Sequence, residues 1–336
     1  MLRTITTWVT GLAAALAFSA ATLAAEITVY TSLEEDEVAH YLEIAKQDMP
    51  DLEVNVLRLS TGDLGARILA ESDNPRHDVL WGWALTNMLD PRILDLTEPY
   101  EAAGMDKVPE QFRDSEGRWF APQGYMAAFC VNKPRLEEIG APVPTSWNDL
   151  LDPAYKGEVV MPNPVSSGTG YLQIASLIQG MGEDEGWEFL EKLDANIGQY
   201  IKSGSRPCRV ARAGEYAIGA SFAFIALKSM EEGYPIEMVI PSEGAGYEME
   251  ANALMASSDN KEAAKQFLDW TLSENAVAAY AEYKALVSVK GAPMSEAALA
   301  AGMPENVEEI LFPMDFAKSA QERSDILDRW RRDIER

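Results

Sequence analysis

The chain has 336 residues, 47% hydrophobic and 24% charged, with 54 acidic against 28 basic side chains and a formal charge of −26. That balance describes a packed protein long enough for two domains of ordinary size, and it excludes disordered and collagen-like classes. A phosphate backbone would be repelled by this field and no Lys/Arg cluster reverses its sign locally, so no nucleic-acid partner is expected.

Residues 1–25 read as a secretory signal peptide. Arg3 supplies the positive start, Trp8 to Phe18 an alanine-rich apolar stretch, and Thr22-Leu23-Ala24-Ala25 a small-residue cleavage zone before Glu26. A membrane anchor would need about 20 strongly apolar residues, and this stretch is short and interrupted by Thr and Ser. No cysteine follows the cleavage zone, and no later segment is apolar enough to span a bilayer. The expected location is therefore the periplasm.

From Glu26 onward strands and helices alternate. Glu26–Thr31 is a β-rich run, and the spacing of Val38, Tyr41, Leu42 and Ala45 predicts a helix that Pro50 ends. A strand over Leu52–Leu59 follows. Ser60-Thr61-Gly62-Asp63 then opens a helix to about Ser72, and Asp78–Trp81 forms a third strand. This order predicts an α/β fold with a parallel sheet. Gly124–Asn132 is a strand, Ser146–Leu151 a short capped turn and Glu158–Met161 another strand. Ser166-Ser167-Gly168-Thr169-Gly170 leads into a helix with Tyr171, Ile174, Ala175 and Ile178 on one face. A strand over Ile197–Ile201, the loop Ser203-Gly204-Ser205-Arg206-Pro207, a helix to Gly214 and a strand over Tyr216–Phe222 complete a second unit. The last hundred residues are mostly helical, including Lys261–Ser273 and a charged tail over Ala317–Arg336.

In such sheets ligands are expected at the carboxyl ends of strands, where loops meet helix N-termini. Ser60, Thr61 and Gly62 form one such loop, and Ser166, Ser167, Gly168 and Thr169 another. Each places hydroxyls and glycine where free backbone N–H groups and the positive end of a helix dipole can hold an anion. Ordinary N-capping explains either loop alone; two of them in separate α/β units describe an oxyanion clamp closed between two bodies. Ser203 and Ser205 offer further donors, and Thr31 and Ser32 end the first strand. Glu34 just beyond could meet an amine or a metal, as could Glu248 and Glu250 in a loop over Gly244–Asn252. Trp81, at the end of the third strand, offers an indole face to an ammonium, and Phe222 closes the candidate set.

Cys130 and Cys208 are the two cysteines, and spacing alone leaves open whether they are bridged or simply buried. His40 and His77 stand in no nucleophile–base pattern, and there is no G-x-S-x-G and no P-loop lysine. A secreted hydrolase using Ser167 is the weaker alternative; no catalytic residue, metal site or cofactor is expected.

Taken in order, ITVYTSLE, LRLSTGDLGARILAE, DVLWGWA, GYMAAFCVN, PTSWNDLLDPAYKGEVVMPNP, SSGTGY and AAKQFLDWTLSENA resemble the extracellular solute-binding proteins of bacterial ABC importers. The resemblance covers nearly the whole chain after residue 25. Within that group it is to the branch of ferric-iron, hexose-phosphate and 2-aminoethylphosphonate binders, with STGDLGARILAE, NPRHDVLWG and SGSRPC most similar to the last. It implies a two-lobed periplasmic-binding-protein fold of type II character with the ligand cleft between lobes. Carried over, lobe I is 26–122 plus a return over 251–300, lobe II is 123–250, and residues 301–336 are C-terminal helices packed on lobe II. The implied partners are an inner-membrane permease and a small phosphonate or phosphate ester, with the protein a monomer. Iron-binding relatives carry a histidine after the first strand and adjacent tyrosines in the second lobe. Here Glu34 and Ser221-Phe222-Ala223-Phe224 stand there, and phenylalanine offers hard Fe³⁺ no oxygen ligand. Ala223 stands where some phosphonate-type relatives have Asp.

Overall fold

The computed structural model describes residues 25–304 and 306–335. The expected signal peptide lies outside them except for Ala25, which opens the first strand. Strands β1 (Ala25–Thr31), β2 (Leu52–Arg58) and β3 (Val79–Ala84) are parallel, joined by the Glu35–Asp48 and Thr61–Ala70 helices. The remaining strands are β4 (Thr97–Glu98), β5 (Phe120–Asn132), β6 (Val159–Pro162), β7 (Ile197–Ile201), β8 (Ile218–Phe222), β9 (Ile236–Val239), β10 (Tyr247–Met255) and β11 (Leu286–Val287). The sheet runs β2-β1-β3-β10-β5-β8-β6-β7.

β5 decides the architecture. Phe120 to Met126 pair antiparallel with β10, whereas Ala127 to Asn132 pair antiparallel with β8 and β9. One 13-residue strand therefore starts in one body and ends in the other. The parallel pattern predicted for β1–β3 holds, and β10 adds an antiparallel return beside β3.

Each body buries both faces of its part of the sheet. In the first, Ile27, Val29, Tyr41, Trp81 and Phe267 fill one side, and Tyr30, Leu64, Trp83 and Met249 the other. In the second, Phe129, Trp147, Tyr171 and Leu190 form the main core, with Met126, Leu227 and Met303 beneath the opposite face. A large buried side chain contributes about 1.5–3 kcal/mol, so these four clusters account for two independently packed bodies. The C-terminal helix, Phe316–Asp333, sends Ile326, Leu327 and Trp330 into the second core. Its first residue packs edge-on against Tyr247 at 5.2 Å and also meets Phe112, so the helix reaches the first body too.

Several expectations change. The helix predicted over Lys261–Ser273 ends at Trp270, because the Ser273 hydroxyl accepts from the Ala276 N–H and caps a new helix, Glu274–Tyr283. Glu248 and Glu250 lie in β10, not in a loop, and both are buried. Their acidic pattern hid a strand that runs through the centre of the sheet. The cysteine question resolves to a bridge: Cys130 of β5 is bonded to Cys208 of the Arg206–Arg212 helix, with Cα atoms 5.2 Å apart. Among the described residues no helix is long and apolar enough to cross a membrane.

Candidate functional site

A small cavity of about 40 Å³ lies between the two bodies, beside the point where β5 passes from one to the other. The first body contributes Ser32, Glu34, Arg58, Ser60 and Thr61, and the second body Ser167, Gly168, Thr169, Gly204 and Phe222. Tyr125 of β5, Glu37, Glu250 and Lys284 complete the wall.

The two hydroxyl loops meet there. Thr61 is the first residue of the Thr61–Ala70 helix, and Ser167 caps the Gly168–Met181 helix by accepting from the Gly170 N–H at 3.3 Å. The first N–H groups of a helix have no intrahelical acceptor, so both helices bring the positive ends of their dipoles to the cavity, with the Gly62 N–H taken by Ser166 O and the Gly170 N–H by Ser167 Oγ. Their approach depends on Gly168, where a Cβ would lie 2.7 Å from Thr61 Oγ1 and 2.8 Å from the Tyr125 hydroxyl oxygen.

Carboxylates also line the cavity. Glu34 accepts from Arg58 Nη2 at 3.1 Å within the first body, and from Ser205 Oγ at 3.0 Å and Arg209 Nη2 at 3.3 Å across the cleft. Burial raises the Glu34 pKa in spite of Arg58. Asp36 adds a second ion pair across the cleft with Lys228. Lys284 lies between Glu37 at 2.6 Å and Glu250 at 3.1 Å, with all three side chains buried. Burial opposes the Lys284 charge, and the two carboxylates outweigh it and hold its pKa above the usual lysine range. Burial also raises Glu250, with the Glu37 charge adding to it. The cavity thus combines two helix N-termini and their hydroxyls with carboxylates that are already ion-paired, Glu34 with Arg58 and Arg209, and Glu37 and Glu250 with Lys284.

Of the residues singled out from sequence, Ser32, Glu34, Ser60, Thr61, Ser167, Gly168, Thr169 and Phe222 line this cavity. The rest sit elsewhere. Trp81 is wholly buried, edge-on to Phe267 at 5.3 Å, because the centre of the first core needs a large aromatic more than the cleft does. Thr31 is buried and accepts from the Leu33 N–H, stabilising the turn into the first helix. Ser166 donates to Lys202 O, and Gly62 donates its N–H to Ser166 O at 2.9 Å, joining the loops beside the cavity. Ser203 and Ser205 pair their hydroxyls at 3.1 Å, leaving Gly204 of that loop against the ligand space. Arg58, Lys284, Glu37 and Tyr125 were missed. They come from the end of β2, the middle of β5, a helix and the residue after a helix, whose local patterns read as ordinary amphipathic structure, and only the tertiary fold brings them together. Neither histidine lines the cavity: His77 stacks on Tyr30 at 4.1 Å and His40 faces Glu282 at 3.1 Å.

Comparison with known proteins agrees with the two-lobed fold. An uncharacterised protein of Haemophilus influenzae is 36% identical over 230 residues, 67% of this chain and 66% of that one, so the match spans just under two thirds of that relative. A probable ABC transporter periplasmic-binding protein of Sinorhizobium fredii is 28% identical over 269 residues, 77% of this chain and 73% of that protein. The solved structure of the periplasmic binding protein AfuA from Actinobacillus pleuropneumoniae, with exogenous fructose-6-phosphate bound, superposes with a TM-score of 0.84 at 30% identity. It covers 92% of this chain and 98% of that one. Residues 94–319 match the bacterial extracellular solute-binding protein family, and with the two-lobed fold and its interlobe cavity the chain belongs to that family.

Proposed function

We propose that this protein is the periplasmic binding component of an ABC importer and captures a small organophosphonate, of 2-aminoethylphosphonate type, or a phosphate ester. The observation that carries this reading is the convergence of two hydroxyl-bearing helix N-termini, at Thr61 and at Gly168–Thr169, on one interlobe cavity. Phosphonate oxygens accept several hydrogen bonds there, and a ligand ammonium would share Glu34 with Arg58, Ser205 and Arg209. The acidic surface is no obstacle, because buried dipoles act locally while net charge governs long-range encounter and solubility.

Capture follows closure. Lobe I is 26–122 with a return over 251–300, lobe II is 123–250 with the C-terminal helices, and a few residues of β5 and β10 absorb the rotation. The protein acts as a monomer, delivers its ligand to a membrane permease and performs no chemistry. A hexose phosphate is the second reading, favoured by the likeness to the fructose-6-phosphate-bound structure. Classical iron capture fits poorly, since Phe222 and Phe224 supply no oxygen ligand. Titration with 2-aminoethylphosphonate against glucose 6-phosphate separates the first two readings: the compact zwitterion is expected to bind more tightly, and preference for the sugar phosphate would overturn the ligand assignment.

A further inference from the structure

Every residue of β5 is buried except Tyr125, and the space that Tyr125 opens onto is the interlobe cavity. It stands where the strand crosses between the bodies. Tyr125 still pairs with β10, opposite Glu248, whereas Ala127 already pairs with β8, opposite Phe222. The other large aromatics of this strand turn into a core, Phe120 into the first and Phe129 into the second.

The Tyr125 ring is held from both bodies. Phe222 packs against it with centroids 5.6 Å apart, and Lys284 Nζ stands 5.8 Å from its centre. Its hydroxyl reaches Gly168, where an added Cβ would lie 2.8 Å from the phenol oxygen and 2.7 Å from Thr61 Oγ1. The Thr169 hydroxyl interacts with the same phenol. Hydroxyls from three directions therefore meet beside the bare backbone of Gly168: Thr61 from the first body, Thr169 from the second, and Tyr125 from the strand that joins them. Burial, with the charges of Glu248 and Glu250 adding to it, holds the phenol well above its ordinary pKa, so it keeps its proton and can donate it.

Three donors in this arrangement match a head group with three oxygens. A carboxylate has two oxygens in one plane, which the helix ends at Thr61 and Thr169 serve, and it leaves the phenol without an acceptor. A site built to hydrogen-bond a group discriminates against analogues that lack it, because its own polar atoms are then left unpaired. We propose that Tyr125 is the specificity-determining residue of this cavity, selecting a tetrahedral three-oxygen head, whether phosphonate, phosphate ester or sulfonate, over a planar carboxylate. The inference rests on the reading of the cavity as an oxyanion site and adds the residue that discriminates among oxyanions.

The test is calorimetric titration of the mature protein with three compounds that share an aminoethyl chain and differ in the head: 2-aminoethylphosphonate, taurine and β-alanine. Taurine and β-alanine carry the same charge, so their comparison isolates the number of oxygens. The wild type is expected to bind the phosphonate and the sulfonate at least about tenfold more tightly than the carboxylate, the equivalent of one hydrogen bond to a charged group. Tyr125→Phe keeps the ring and its packing against Phe222. It is expected to weaken the first two by at least about tenfold and β-alanine by less than about threefold, with an unchanged denaturant midpoint. The proposal is overturned by an equal loss for all three compounds, by full phosphonate affinity in the variant, or by a wild type that binds β-alanine as tightly as taurine. If the wild type takes glucose 6-phosphate and not the aminophosphonate, the aminoethyl reading falls alone. Tyr125→Phe must then lose at least about tenfold toward glucose 6-phosphate, and full affinity overturns the proposal. Binding of none of these oxyanions overturns the proposal together with the reading it rests on.

Discussion

The Gly62 N–H donates to Ser166 O across 2.9 Å, so the loops that open the two clamp helices are hydrogen-bonded to each other across the cleft. A Cβ at Gly62 would stand 2.0 Å from Val165 O. The contact is between bodies, not within one, so Gly62→Ala is expected to fold normally and to resist closure. Ligand affinity should fall at least about tenfold, or 1.4 kcal/mol, and small-angle scattering should show no compaction on adding ligand. Compaction equal to that of the wild type would remove the contact from the closing mechanism.

Thr61→Ala and Thr169→Ala each take one hydroxyl from the cavity wall while leaving the helices intact. Each is expected to weaken phosphonate binding by about 1–3 kcal/mol, the usual cost of leaving a buried acceptor without its donor. Calorimetry on both variants checks this, and unchanged affinity in both would count against the clamp.

Glu248 carries a prediction on pH. Burial raises its pKa to about 7, with the Thr86 hydrogen bonds pulling the other way. A carboxyl whose folded pKa lies above its unfolded value binds more protons when folded, so the stability it contributes is present in acid and is lost as pH rises from about 4.5 through 7. The loss is about 3–4 kcal/mol. Urea melts of Glu248→Gln should be flatter across this range than those of the wild type; parallel curves would show that Glu248 does not titrate there.

The Cys130–Cys208 bridge ties β5 to the helix that carries Arg209, closing a loop with a sequence separation of 78. Replacing both cysteines by alanine is expected to cost about 3–4 kcal/mol of unfolding free energy, chiefly by freeing the unfolded chain. A denaturant midpoint equal to that of the wild type would contradict it.

What the sequence discloses follows from where the information is local. The alternation of Glu26–Thr31, the stripe Val38–Tyr41–Ala45 and the Ser/Thr/Gly helix starts are local patterns, and they foretell the strands, the helices and eight of the cavity residues. Trp81 misleads because a strand-end indole serves a core or a cleft equally well by pattern. Lys284 is illegible for the opposite reason. It follows a plain helix, and its meaning lies in Glu37 and Glu250, which reach it from distant elements. The Glu248–Glu250 run looks like a polar loop because buried carboxylates in a central strand are rare unless paired or hydrogen-bonded, and those partners are invisible in one dimension.

The most direct measurement is calorimetric titration of the refolded, ligand-stripped mature protein with 2-aminoethylphosphonate, with glucose 6-phosphate and inorganic phosphate as competitors. Refolding removes ligand trapped during expression. The account predicts that the aminophosphonate binds and that neither competitor displaces it at comparable concentration. Absence of binding by all three would contradict a phosphorus oxyanion as the cargo, leaving a two-lobed solute-binding protein with another ligand.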